Sequence, residues 1–72
     1  MNEIMINTDV IRLDQFLKWA NVVSSGSEAK FIIQDGAVSV NNEITTARSK
    51  KLFNGDIVSV QGSGTFKVSS QS

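Results

Sequence analysis

A chain of 72 residues, 40% apolar, with seven cationic and seven acidic side chains and no Cys, His, Tyr or Pro, has room for one modest core and one domain. The missing cysteines exclude a disulfide framework or a thiolate metal site, and without His or Cys any nucleophile or base would have to be Ser, Lys, Asp or Glu. Net charge is zero but uneven: residues 1–36 carry Arg12, Lys18 and Lys30 against Glu3, Asp9, Asp14, Glu28 and Asp35, a net −2, while residues 37–72 carry Arg48, Lys50, Lys51 and Lys67 against Glu43 and Asp56, a net +2.

The start, Met1-Asn2-Glu3, lacks the basic segment and apolar run of a signal peptide, and no apolar stretch approaches the roughly 20 residues that span a bilayer. A soluble, cytoplasmic protein with no membrane partner is the expectation. Ile4-Met5-Ile6 reads as a short strand ending at Asn7-Thr8-Asp9. Leu13, Phe16, Leu17 and Ala20 follow the i, i+3, i+4, i+7 spacing of an amphipathic helix, with Asp14 suited to its positive end and Asn21-Val22-Val23 marking the exit. Ser25-Gly26-Ser27-Glu28 is a capping box, in which the serine oxygen accepts from the N3 amide and the glutamate reaches back to the cap amide. The second helix then buries Ala29, Ile32 and Ile33 and stops at Gly36, leaving Ser27, Lys30, Phe31 and Gln34 on the opposite face.

Val38 and Val40 alternate with Ser39, and Asn41-Asn42 suit a two-residue hairpin turn before a return strand beginning at Ile44-Thr45. Asn54-Gly55 signals another turn before a strand over residues 57–60, and Gly62-Ser63-Gly64 leads into a last one over 65–68. Residues 1–68 read as a single domain and residues 69–72, Ser-Ser-Gln-Ser, as a flexible polar tail.

Several side chains carry two readings. Lys30 and Gln34, one helical turn apart, can take a phosphate and a sugar or base edge, or can be an ordinary solvated face. Arg48, Lys50 and Lys51 form the densest positive cluster; it can follow a phosphate backbone or guard a sheet edge against association. Arg12 can reach the same surface or pair locally with Asp14 or Asp9. Ser25 and Ser27 can offer hydroxyls or amides to phosphate, although capping is the first role of Ser25. Phe31 can stack on a base or pack beneath the hairpin, and Trp19 suits covering the N-terminal strand better than stacking. Catalysis has little support: Glu28, Asp56 and Asp14 have structural roles, the Gly62-Ser63-Gly64 turn lacks a strand–turn–helix setting, and no carboxylates have metal-ligand spacing. The chain reads as a non-enzyme with no cofactor or metal.

Taken in order, Arg12-Leu13-Asp14-Gln15-Phe16-Leu17, Ser25-Gly26-Ser27-Glu28-Ala29-Lys30, Gly36-Ala37-Val38-Ser39-Val40-Asn41 and Lys51-Leu52-Phe53-Asn54-Gly55-Asp56-Ile57-Val58-Ser59-Val60 form a series that closely resembles the RNA-binding domain named for the fourth protein of the small ribosomal subunit, the S-four domain. Gly26 stands where many members have a basic residue, and with the added N-terminal strand this looks most like the stand-alone bacterial, YaaA-like and YbcJ-like, subgroup. The resemblance implies an α+β fold, two short helices on a small, mainly antiparallel sheet, and an RNA face drawn from Arg12, Ser25, Ser27, Lys30, Phe31, Gln34, Asn41, Arg48, Lys50 and Lys51. It implies a monomer that binds structured RNA, ribosomal RNA or a ribosome assembly intermediate, with the ribosome or assembly factors as wider partners. Neutral charge and Gly26 keep open a second reading, a protein–protein interaction module that retains the fold without binding RNA.

Overall fold

Val38 and Val40, Val58 and Val60, Phe66 and Val68 alternate along three strands, and the pairing of those strands places all six on one buried face. The structure, a computed structural model, describes residues 2–70. In chain order its elements are β1 (Asn2–Ile6), β2 (Val10–Arg12), α1 (Leu13–Trp19), α2 (Gly26–Gln34), β3 (Val38–Val40), β4 (Glu43–Ile44), β5 (Lys51–Phe53), β6 (Ile57–Val60) and β7 (Gly64–Ser70). Five strands form one sheet in the order β1-β7-β6-β3-β4, antiparallel except for the parallel β1–β7 pair. The sequence reading does not foresee the second sheet, an antiparallel ribbon of β2 and β5. The α+β architecture with two helices on a mainly antiparallel sheet is as expected.

The helices close the core over this valine-rich face. α1 buries Leu13, Phe16 and Leu17 completely, and α2 buries Ala29 and Ile33, while Ile32 is half-buried. Val23 joins the core because the Val22 and Val23 amides both return to the Leu17 carbonyl, at 2.9 and 3.3 Å, after Asn21 turns the chain at φ +62°. Asn41 and Asn42 take φ of +52° and +70°, the left-handed pair a two-residue hairpin needs, and Val40 faces Glu43 across it.

Two expectations change in detail. Ser25 does accept from the Glu28 amide, at 3.2 Å, but the glutamate does not reach back to the cap amide. Its Oε1 accepts instead from the Ser24 amide at 2.8 Å and the Ser24 hydroxyl at 3.3 Å. Ser25 is fully extended (φ −150°, ψ 162°), which turns the preceding amide toward the helix. The other concerns Ser69 and Ser70, read from the sequence as part of a flexible polar tail. Ser69 and Ser70 belong to β7, opposite Met5 and Ile6 of β1. The Ser70 amide donates to Asn54 Oδ1 at 2.9 Å and its hydroxyl to the Thr8 carbonyl at 3.0 Å. Backbone pairing, indifferent to side-chain polarity, orders the segment; residues 71–72 lie outside the described residues.

The cap at α2 yields a stability prediction. Ser25→Ala removes the acceptor of the Glu28 amide and is expected to cost about 0.5–2 kcal/mol, read as a lower midpoint in urea. Lys30→Ala, on the exposed face of the same helix, is expected to leave the midpoint nearly unchanged. Equal losses would assign Lys30 a packing role.

Candidate nucleic-acid interface

The first amides of any helix lack partners within it. In α1 the Leu13 amide donates to the Lys50 carbonyl at 2.8 Å and the Asp14 amide to the Arg48 carbonyl at 3.1 Å. The residue before the helix, Arg12, makes no side-chain cap bond. The basic segment is thus clamped to the start of α1 by its backbone, with its side chains left free to point elsewhere.

Pairing of β2 with β5 extends the clamp. Ile11 faces Leu52, which is wholly buried, while Val10 faces Phe53 and Arg12 faces Lys51. Alternation therefore leaves Val10, Arg12, Lys51 and Phe53 exposed on the outer surface of the ribbon. The backbones of Arg12, Arg48, Lys50 and Lys51 all lie around the start of α1, which anchors four of the seven cationic residues there.

The charges there are unevenly compensated. Arg12 Nη2 lies 2.9 Å from Asp14 Oδ2, the local pair anticipated as one reading of this residue. Among the described residues Arg48, Lys50 and Lys51 have no ion-pair partner. Directly opposed strand residues have Cβ atoms about 4.5–5.5 Å apart, and like charges there repel. Arg12 against Lys51 is such an arrangement, and a phosphate between them would relieve it.

On α2, Ser27, Lys30, Phe31 and Gln34 are all exposed. Phe31, at 70% exposure, does not pack beneath the hairpin. Ser25 is occupied as the cap. A Cβ at Gly26 would meet nothing within 4 Å, so the glycine answers no steric demand. α2 packs on α1, whose first amides hold the basic segment.

Asn41 is engaged within the fold. Its Oδ1 accepts from the Ile57 amide at 3.0 Å and its Nδ2 donates to Asp56 Oδ1 at 3.2 Å, which ties the β3–β4 turn to β6. Two aromatics outside the anticipated set are half-exposed at 54% each, Phe53 on the ribbon and Trp19 at the end of α1. Trp19 does reach the N-terminal strand, donating its indole N–H to the Met5 carbonyl at 2.8 Å, but it does not bury itself there. The alternation in Lys51-Leu52-Phe53 carried a signal for Phe53, too short to be read without its partner strand. Among the described residues no group of acidic or other ligating side chains could hold a metal ion, and no helix is long and apolar enough to cross a membrane.

A family model described as S4 domain matches residues 4–69. A Bacillus subtilis (strain 168) protein described as a probable ribosome maturation protein, RlbA, is 45% identical over 67 residues, covering 93% of this chain and 94% of the relative.

The opposed pair on the ribbon makes a prediction for the free protein. Lys51→Gln is expected to raise stability by about 0.2–1 kcal/mol by removing the like charge opposite Arg12. The gain is read in thermal melts at low salt and shrinks as added salt screens the pair. A lower melting temperature would mean that Lys51 holds the ribbon together.

Proposed function

The chain belongs to the S4 domain family, the RNA-binding family its sequence resembles, and we propose that it is a stand-alone RNA-binding protein acting on structured RNA. The family and the relative together support ribosome-related RNA binding in general. The finer reading is that ribosomal RNA or a ribosome assembly intermediate is recognised by backbone and shape, by a monomer in the cytoplasm. A domain this small reads little sequence, and structured RNA is met mainly through its phosphates and sugars.

One observation carries the proposal: Arg48, Lys50 and Lys51, cations with no ion-pair partner among the described residues, are held by a backbone clamp beside Arg12. A surface guarded only against edge pairing would not need cations placed against each other. Lys30 and Gln34 on α2 supply a second set of contacts, with Ser27 and Phe31 beside them. The role is binding rather than catalysis, since these groups hold phosphate without moving protons or forming bonds. Zero net charge limits long-range steering, so affinity is modest and depends on local contact.

Salt dependence tests this directly. For three to five phosphate contacts, log K against log salt is expected to fall with a slope of about −2 to −4.5. The double variant Lys50→Glu with Lys51→Glu is expected to weaken binding of a blunt RNA hairpin and to flatten the slope by about 1.4–1.8. Gly26→Arg, which has open space around it, is expected to tighten binding if the start of α2 approaches phosphate. Unchanged affinity and slope in the double variant would remove the basic corner from the interface, whereas no binding of the hairpin by the unaltered chain would favour an interaction module that does not bind RNA.

A further inference from the structure

We propose that Trp19 and the groove beside it form a stacking site for an unpaired nucleobase, with Lys18 meeting the adjoining phosphate. The proposal rests on the RNA-binding reading above and extends the interface beyond its cations. Trp19 is the chain's one tryptophan and is 54% exposed. Its indole N–H is fixed to the Met5 carbonyl at 2.8 Å, so the ring is held by one edge and presented to solvent rather than free to swing. Gln15, Lys18 and Trp19, at i, i+3 and i+4, share the outer face of α1.

The open groove they border spans about 530 Å³ and is completed by Asn7, Val10 and neighbouring residues. That volume lies within the roughly 300–1,000 Å³ of small-molecule sites. Its chemistry suits a base better than an apolar peptide. Asn7 and Gln15 bring amides that can both donate and accept at a base edge, and their side chains make no hydrogen bond among the described residues. Lys18 has no acidic partner among those residues. A tryptophan face accepts any base, and stacking is tolerant of sequence. Val10 lines the groove and also faces Phe53 across the ribbon, beside Arg12 and Lys51. A strand whose phosphates follow the ribbon would therefore reach Trp19 without leaving the surface.

Because Trp19 is the only tryptophan, its emission reports on the site directly. The full chain is titrated with three RNA probes: a blunt hairpin, the same hairpin with a short unpaired adenosine tail, and that hairpin with an abasic tail. The adenosine tail is expected to quench Trp19 emission and to tighten binding, and the abasic tail to do neither. Trp19→Ala is expected to bring the tailed hairpin down to the blunt one's affinity, a loss of roughly 5- to 150-fold, with blunt-hairpin binding unchanged. Trp19→Phe, which keeps a ring but not the N–H bond to Met5, is expected to retain part of the tail's advantage.

Equal quenching by the abasic and adenosine tails, or no effect of the tail on emission and affinity, would overturn the stacking site even if Trp19→Ala failed to fold. Trp19→Ala weakening both hairpins equally would make the residue structural. Failure of the RNA-binding reading looks different, because the unaltered chain would then bind neither the blunt hairpin nor the tailed ones.

Discussion

Two hydrogen bonds, from the amides of Leu13 and Asp14 to the carbonyls of Lys50 and Arg48, organise the side of the molecule that faces outward. A helix of seven residues is too short to be stable alone, and its opening amides need acceptors. Taking those acceptors from a basic segment far along the chain satisfies the helix and anchors the segment in one step. The β2–β5 ribbon continues the same join, with Leu52 sealing it into the core. Backbone groups do the holding, so the cationic side chains keep their freedom to meet a ligand.

That division explains how a chain of zero net charge can present a cationic surface. Charge is sorted by position rather than by total. Asp14 is committed to Arg12, Asp56 accepts from the Phe53 amide and Asn41, and Glu28 accepts at the start of α2. Lys67 sits opposite Glu3 in the sheet. Asp14, Glu28 and Asp56 are thus absorbed by a local pair, a cap and a turn, while Arg48, Lys50 and Lys51 have no ion-pair partner among the described residues. The opposition of Arg12 and Lys51 is a local cost, and an anion would offset it.

The aromatics divide in a comparable way. Phe16 and Phe66 close the core, whereas Phe31, Phe53 and Trp19 stay at the surface on three different elements. In a small core, each large exposed apolar side chain forgoes burial that would stabilise the fold. Trp19 shows that exposure here is compatible with order, since its one polar atom is bonded while its ring remains accessible.

Local regularity decided what was legible. The period of Leu13, Phe16 and Leu17, the Ser25–Glu28 cap, the left-handed Asn41-Asn42 turn and the alternating valines depend on neighbours within one turn or one strand, and with the order of the phrases they determined two helices, the main strands and the family. Partnership across the chain was decided only by folding. The β2–β5 ribbon, the joining of Arg48 and Lys50 to α1, the ordering of Ser69 and Ser70 and the donation of the Ser24 amide to Glu28 all depend on backbone groups that carry no residue-type signature. The same limit applied to the site. The sequence marked Lys30 on an outward helix face and Arg48, Lys50 and Lys51 as the densest positive cluster, but it could not show that the Asn41 side chain would be engaged by Ile57 and Asp56 or that Trp19 would remain uncovered. Burial is a property of what other segments leave over, and that is settled when the layers pack.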